Sequence, residues 1–306
     1  MNNIARQEPD GILVINKPSG MTSHDVVNRV RRLYGTRAVG HTGTLDPMAT
    51  GVLVLLLGRA AKACEYAVAG KKRYTARLRL GIETDTEDTT GEIIRSAEVN
   101  VKREDFDAAL PSFVGNIMQI PPMYSALKRD GKKLCDLARE GKVIEREARP
   151  ITVYSIKAEQ IDGTDYTLDV TCSAGTYIRT LCADIGAALG CGGAMAALER
   201  TEACGYSLSD AHTLNELNEM TLDERLSLLL PTETLFSSLH AVRLEAFYEK
   251  LFRSGCEIYF KKLRLTPPDV GTRLRVCNSN GDFFALGEVR DYPDGIAIKS
   301  LKLFKL

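Results

Sequence analysis

The sequence predicts an α+β protein in which a mixed, mostly antiparallel sheet with flanking helices precedes a small, β-barrel-like module. Three patterns support this prediction. Residues 73–80 alternate between apolar and polar side chains, as in a half-buried strand. Residues 22–35 place apolar residues at helical spacing between a Thr-Ser pair that can cap the N-terminus and a closing glycine. Beyond residue 240 the pattern is one of short strands separated by turn residues.

The other segments of the chain fit the same architecture. Strands are predicted at 11–15, 52–57, 151–159 and 165–172, and in the C-terminal module at 257–260, 273–278, 283–289 and 296–304. Helices are predicted at about 60–68, 103–110, 134–140 and 213–229, and from residue 178 onward. Hairpin turns are predicted at 279–282 and 291–295, where Asn, Asp and Gly favour tight turns.

The length of 306 residues is sufficient for two domains, which we expect at 1–240 and 241–306. A basic insertion at about 119–150 is either a flap over an anionic ligand or a solvated surface. Lys+Arg and Asp+Glu both number 40, so contact with a polyanion requires local basic patches. The polar N-terminus and the shortness of the apolar runs predict neither a signal peptide nor a membrane span, and we expect a cytoplasmic protein.

Metals and cofactors are not predicted. The eight cysteines are scattered without a Cys-x-x-Cys pair, so buried thiols in a reducing compartment are expected. The acidic segment 81–91 lacks the aspartate spacing and the distal glutamate of a calcium-binding loop. Neither a P-loop nor a dinucleotide-binding glycine motif occurs in the sequence.

The segment on which the functional prediction depends is 40–51, Gly-His-Thr-Gly-Thr-Leu-Asp-Pro-Met-Ala-Thr-Gly. Its glycines allow tight turns and a close approach of the backbone to a ligand. Pro47 disfavours helical geometry at Asp46, so we expect a loop that presents this carboxylate at a sheet edge. The alternative is an Asx-turn, in which Asp46 bonds its own backbone.

This segment resembles the signature of the bacterial tRNA pseudouridine-55 synthases of the TruB type. Further blocks resemble that family in the same order, namely 16–20, 71–74, 80–91, 119–128, 173–179 and 198–201. The resemblance covers residues 11–206, and the C-terminal module resembles more loosely a PUA-type RNA-binding domain. Cys135, Ala194 and Glu199 depart from the family pattern, and Glu199 removes one expected positive charge.

The resemblance implies that the chain isomerises uridine 55 in the T-arm of tRNA to pseudouridine, without a cofactor, after the base has left its stack. It implies that Asp46 is the catalytic nucleophile and that Arg179 keeps it ionised, since burial alone favours the protonated acid. Tyr74 is implied to offer its ring and hydroxyl to the flipped base. The implied substrate-binding residues are His41, which fills the vacated space, Tyr177 and Leu198, which line the uracil pocket, and Lys17, which supports the loops.

We expect tRNA as the partner of a monomer that needs no obligate protein partner. Contacts with the RNA backbone are expected from basic residues of the first helix, the insertion and the C-terminal module: Arg29, Arg31, Arg32, Lys128, Lys132, Lys133, Lys261, Lys262 and Arg264. Attack of Asp46 on the uracil ring and attack on the ribose are both open. One rival function is an RNA chaperone or scaffold of the same fold without turnover. Another is an aspartate-nucleophile phosphatase, which requires an Asp-x-Asp pair, whereas position 48 is Met.

Overall fold

The computed structural model describes residues 8–67, 70–129 and 131–304, apart from the side chains of Lys128 and Lys133. Eighteen strands form sheets of nine, five, two and two strands within these ranges. The strands are β1 (Gly11–Lys17), β2 (Val39–His41), β3 (Thr50–Leu57), β4 (Lys72–Leu80), β5 (Ile82–Thr84), β6 (Ile93–Ser96), β7 (Gly115–Gln119), β8 (Lys128–Arg129), β9 (Lys132–Lys133), β10 (Arg149–Gln160), β11 (Asp165–Cys172), β12 (Gly193–Ala203), β13 (Tyr206–Ser207), β14 (Ala241–Arg243), β15 (Ile258–Tyr259), β16 (Arg273–Cys277), β17 (Phe283–Tyr292) and β18 (Gly295–Leu303).

Helices flank these sheets. The α-helices are α1 (Ser23–Tyr34), α2 (Cys64–Ala67), α3 (Arg103–Ala109), α4 (Leu134–Arg139), α5 (Ile178–Ala188), α6 (Leu214–Glu219), α7 (Leu222–Ser227), α8 (Ala246–Arg253) and α9 (Phe260–Leu263). Short 3-10 helices occur at Gly58–Ala63, Leu110–Phe113, Leu208–Asp210 and Thr232–Phe236. In the described ranges, no helix combines the length and the apolar character needed to cross a membrane.

The large sheet has the strand order β1-β3-β12-β4-β11-β10-β7, with β2 paired to β3 and β13 paired to β12. Its pairings are antiparallel except for the parallel contact of β3 with β12. The predicted α+β class with a mixed, mostly antiparallel sheet is therefore confirmed. Strand β4 lies near its centre and alternates as its sequence predicts, which directs Tyr74 to the buried face.

Helix α1 forms as its sequence predicts. The Thr22 hydroxyl accepts a hydrogen bond from the Asp25 N–H, and the Asp25 carboxylate accepts one from the Thr22 N–H, which makes a reciprocal cap. Gly35 ends the helix in the left-handed conformation. Val26, Val27 and Val30 belong to a buried cluster with Leu13, Ile15, Leu53 and Leu55 of the sheet, so the helix covers one face of β1 and β3.

The five-stranded sheet near the C-terminus is the predicted β module, in the order β14-β16-β17-β18-β15. It packs on the other face of β1 and β3 through a second apolar cluster. The members from the large sheet include Val14, Val54 and Leu56, and those from the module include Phe283 and Phe304. The domain boundary near residue 240 stays a prediction, although the first strand of the module begins at Ala241.

Several predicted elements need correction. The single helix at 213–229 is wrong, because Thr213 and Thr221 each cap a separate short helix. The strand at 257–260 is also shorter, because Phe260 begins α9. The acidic segment 81–91 contains strand β5, which pairs with β6 beyond the end of the segment. Helix α8 and nine strands were not predicted, namely β2, β5, β6, β7, β8, β9, β12, β13 and β14. Residue 68 of the predicted helix 60–68 lies outside the described residues.

Candidate active site

The loop that carries Asp46 is tied down at several points along its length. Ser23 at the start of α1 donates from its hydroxyl to the Leu45 carbonyl at 3.0 Å and accepts from the Leu45 N–H at 2.8 Å. The Gly20 N–H donates to the Pro47 carbonyl at 2.8 Å. Gly51 has a φ of 98°, and a Cβ there would lie 2.3 Å from the Arg200 carbonyl oxygen, so only glycine fits. The carboxylate is therefore presented from a fixed backbone.

Arg179 in the first turn of α5 forms an ion pair with Asp46. The distance from its Nε to Asp46 Oδ2 is 3.0 Å. The Arg179 side chain is 6% exposed and the Asp46 side chain 35% exposed. Nη1 donates to the Thr86 carbonyl at 3.0 Å and Nη2 to the Tyr124 carbonyl at 2.7 Å, so the guanidinium is fixed from two further sides.

A second carboxylate, which sequence reasoning missed, faces the same guanidinium. Asp88 Oδ2 lies 3.8 Å from Arg179 Nη1, and its side chain is 7% exposed. Its other oxygen accepts from the Thr86 hydroxyl at 3.0 Å and from the Thr90 N–H at 2.9 Å. The acidic segment 81–91 thus supplies a counter-charge for a buried arginine. The sequence did contain one signal for Asp88, because segment 81–91 is one of the blocks that resemble the TruB-type family.

The pKa of the Asp46 carboxyl is raised above its ordinary value. Desolvation by burial is the largest cause, and the charge of Asp88 adds to it. The guanidinium of Arg179 and, more weakly, the ammonium of Lys17 lower the pKa of Asp46 and so oppose the rise. The balance leaves a carboxylate that is less stable as an anion than an exposed one, and hence more reactive towards an electrophile once it is ionised.

Three of the other predicted site residues lie close enough to Asp46 to be affected by its charge. Its charge acts on the pKa of Lys17, Tyr74 and Tyr177. Tyr74 is 7% exposed and Leu198 8% exposed, and the latter lies opposite Ala76 in the pairing of β12 with β4. An aromatic ring and an aliphatic side chain thus project from paired central strands on the side of the sheet that carries the loop.

Tyr177, the residue before α5, is positioned by a buried glutamine that sequence reasoning assigned no role. The Tyr177 N–H donates to Gln119 Oε1 at 2.9 Å, and its carbonyl accepts from Gln119 Nε2 at 3.0 Å. Gln119 is 2% exposed at the end of β7. Burial raises the pKa of the Tyr177 hydroxyl, so the phenol stays neutral.

Two buried cations hold the loop backbone. Lys17 is fully buried and donates to the carbonyls of Pro18 at 2.9 Å, Met21 at 2.6 Å and Pro47 at 3.3 Å. Desolvation lowers the pKa of Lys17 to about 8, against the opposing charge of Asp46. Arg200, a second residue that received no predicted role, donates to the carbonyls of Val52, Gly43 and Thr44 at 2.7, 3.1 and 3.4 Å.

Replacement of Lys17 by methionine is expected to lower the free energy of unfolding by about 1–3 kcal/mol, because buried carbonyls lose their donor. Urea unfolding followed by circular dichroism measures the change. Lys157→Met on the exposed face of β10 is the control and is expected to have little effect. An unchanged midpoint for the Lys17 variant would show that the loop does not depend on this ammonium.

His41 lies at the end of β2 rather than in the loop itself. It is partly buried, and its Nδ1 is inaccessible and has no hydrogen-bond partner among the residues described. Burial lowers the pKa of His41, and the nearby charge of Arg200 lowers it further. The imidazole is therefore neutral at pH 7, which suits a flat ring that contacts bases rather than one that binds phosphate.

The predicted backbone-binding residues have different environments. Arg29 and Arg32 line a cavity of about 730 Å³ together with Lys17. Glu199 also lines this cavity and adds a negative charge to it. Arg31 instead donates to the Val39 carbonyl at 3.2 Å. The side chains of Lys128 and Lys133 lie outside the described residues, whereas those of Lys132, Lys261, Lys262 and Arg264 are partly or largely exposed.

Solved structures share this architecture. A Cbf5-Nop10-Gar1 complex aligns with a TM-score of 0.73 at 24% identity, over 97% of this chain and 85% of that chain. An H/ACA RNP bound to a substrate RNA containing 2′-deoxyuridine aligns with a TM-score of 0.72 at 22% identity, over 100% of this chain and 88% of that chain. These likenesses establish the fold.

Sequence comparison defines the class as pseudouridylate synthases. Residues 31–178 match the model of the TruB family pseudouridylate synthase (N terminal domain), and 179–237 match that of the tRNA pseudouridylate synthase B C-terminal domain. A tRNA pseudouridine synthase B of Alkaliphilus oremlandii is 48% identical over 250 residues, 82% of this chain and 83% of the relative. One of Burkholderia mallei is 42% identical over 278 residues, 90% of this chain and 92% of the relative. The chain therefore belongs to the TruB family, as its motifs predict.

Proposed function

We propose that this chain converts uridine 55 in the T-arm of tRNA to pseudouridine. The observation that carries the proposal is the 3.0 Å ion pair of Asp46 with Arg179 on a fixed loop, beside the ring of Tyr74. Relatives that are 48% and 42% identical are named tRNA pseudouridine synthase B. An ionised carboxylate next to an aromatic face is what an isomerisation of a nucleobase requires.

In this reaction the bond from N1 of the uracil to C1′ of the ribose breaks, the base turns, and a bond from C5 to C1′ forms. The proton on C5 leaves and a proton is gained at N1, so the product is an isomer and no redox partner enters. Asp46 attacks either the uracil ring or C1′ and is released when the new bond has formed. Tyr74 and Leu198 hold the detached ring from either side while it turns.

Access to the uridine requires that the base leave its stack, which costs a few kcal/mol. We assign to His41 the space that the base vacates, because stacking on an aromatic ring recovers about 1–3 kcal/mol per base. Tyr177 lines the uracil pocket, with its backbone fixed by Gln119. Lys17 supports the loop from below through its three carbonyl contacts.

Recognition of the folded T-arm is assigned to dispersed cations, in keeping with the recognition of RNA by shape and backbone. In this proposal, residues 1–240 are the catalytic unit with a basic flap at about 119–150, and 241–306 are an RNA-binding unit. Contacts with phosphates are expected from Arg29, Arg31, Arg32, Lys128, Lys132 and Lys133, with Lys261, Lys262 and Arg264 from the module. The enzyme acts as a cytoplasmic monomer without an obligate protein partner or cofactor.

Release of tritium from tRNA that carries [5-³H]uridine tests the proposal directly. We expect one equivalent of tritium per tRNA, because a single C5–H bond is broken at one site. A tRNA in which uridine 55 is replaced by cytidine is the control and should release none. No release from the natural sequence, or equal release from the control, would overturn the assignment.

The raised pKa of Asp46 has a consequence for the pH dependence. The carboxylate is the active form, so activity is lost as the pH falls through this pKa. We expect the acidic limb of kcat/KM to lie above the ordinary aspartate value of about 3.9. Tritium release across the pH range, with tRNA binding measured at each pH, separates ionisation of the enzyme from loss of binding. A limb at the ordinary value would contradict this expectation.

A further inference from the structure

A second pair of cations, Lys72 and Arg200, lies under the loop that carries Asp46. Lys72 is 8% exposed and comes two residues before Tyr74 on β4, so both side chains point to the same face of the sheet. In the described ranges, its Nζ forms no hydrogen bond and no ion pair. Arg200 lies directly opposite Tyr74 in the pairing of β12 with β4.

Neither cation has a carboxylate partner in the described part of the chain. Arg200 is 1% exposed and directs its donors at the loop carbonyls of Gly43 and Thr44 and at the Val52 carbonyl of β3, which are dipoles and not counter-charges. Burial lowers the pKa of Lys72, and the charge of Arg200 lowers it further. Burial of two like charges without an anion costs stability, so an arrangement of this kind favours binding of an anion.

Gly43 borders both cations. A Cβ at this position would lie 3.3 Å from Lys72 Nζ and 3.6 Å from Arg200 Nη1. The two cations therefore converge on the same side of the Gly43 backbone. The φ of Gly43 is not in the left-handed region, so its backbone conformation does not demand glycine. A larger residue here would instead crowd the ammonium of Lys72.

We propose that Lys72 and Arg200 together bind one phosphodiester group of the RNA, at or beside the nucleotide that enters the site of Asp46. The inference rests on the proposed function and names a contact that orients its substrate. Phosphates are the anions that tRNA offers, and the arginine fork with a neighbouring ammonium suits them. The position of both cations beside Tyr74 places the phosphate next to the flipped base.

The charge of Lys72 is tested with Lys72→Met. Its affinity for tRNA should fall, and the slope of log K against log salt should decrease by about 0.7–0.9, because one phosphate contact is lost. Without RNA, the variant should unfold at the same or a higher temperature than wild type, since an unpaired buried ammonium has been removed. Lys157→Met, exposed on the opposite face of the same sheet, is the matched control and should keep the wild-type slope.

The phosphate itself is located with methylphosphonate linkages placed one at a time around uridine 55 of a T-arm stem-loop. At one position, the methylphosphonate should weaken binding by wild type. The same linkage should have little effect on binding by Lys72→Met, because that variant has already lost the contact. Gly43→Ala keeps both charges but places a methyl group 3.3 Å from Lys72 Nζ, which displaces the ammonium, so this variant should lose the same sensitivity. Equal sensitivity of wild type and both variants at every linkage would overturn the inference.

The same measurements distinguish binding of free anions from binding of RNA, and failure of this inference from failure of the proposed function. If inorganic phosphate stabilises wild type but not Lys72→Met, while the salt slopes with tRNA are equal, the site binds free anions and the RNA contact is overturned. If wild type releases tritium and Lys72→Met keeps its slope, this inference alone fails. If wild type releases no tritium, the proposed function fails first.

Discussion

Asp46→Asn is expected to reduce tritium release from tRNA by at least about a thousandfold, because the amide has nearly the same shape but cannot act as a nucleophile. The ion pair with Arg179 is lost, but the amide oxygen can still accept from its Nε, so the loop should keep its position. Affinity for tRNA should change little, since the contacts with phosphates are assigned to Lys and Arg side chains and not to Asp46. The measurement is single-turnover tritium release with a binding titration on the same preparation.

Asp85→Asn is the matched control, because among the residues described this exposed carboxylate accepts only from the Glu92 N–H, at 2.8 Å. It should keep wild-type turnover. Full turnover of the Asp46 variant would remove the nucleophile from the mechanism. Binding without turnover by wild type as well would favour the scaffold function over the enzyme.

Arg179→Lys is expected to lower kcat by about 10²–10³-fold with a smaller change in KM. Lysine keeps the charge, but it cannot reach Asp46, Asp88 and the carbonyls of Thr86 and Tyr124 at the same time. Arg179 lowers the pKa of Asp46 by its hydrogen bond as well as by its charge, so loss of that hydrogen bond should also move the acidic limb of the activity to higher pH. Both effects are read from pH profiles of kcat and kcat/KM.

The control for this variant is Arg103→Lys, which alters a partly exposed arginine paired with Asp107 at 2.8 Å one helical turn away. It should leave both profiles unchanged. An unshifted limb in Arg179→Lys with lowered kcat would mean that the arginine orients the carboxylate without setting its ionisation. Unchanged kcat would contradict the role of the pair altogether.

Part of the site could be predicted because its residues belong to short, ordered blocks of sequence. Asp46 and Arg179 come from blocks far apart in the chain, and the structure places them in contact. The strand pattern around Tyr74 predicted which face it occupies, since alternation along β4 is regular. The roles of these residues in catalysis stay predictions until the variants are measured.

The residues that were missed act through distant backbone or through a shared cation. Gln119 bonds the backbone of a residue 58 positions later, and Arg200 bonds carbonyls about 150 positions earlier, which no local pattern records. Asp88 is recognisable only once Arg179 is seen between two carboxylates. The split of the helix at 213–229 was available in the sequence, since Thr221 and Glu224 form the usual reciprocal cap, but the apolar spacing masked it.

The apolar cluster shared by β1, β3 and the C-terminal sheet has a consequence for how the protein meets a large RNA. A chain cut near residue 240 would present Val14, Val54 and Leu56 to water, so the C-terminal module is not expected to be separable from the large sheet. Lys261 and Lys262 are thereby kept at a set separation from Asp46. Under the proposed function, the fold therefore fixes the distance between the RNA contact expected at these lysines and the uridine that reacts at Asp46.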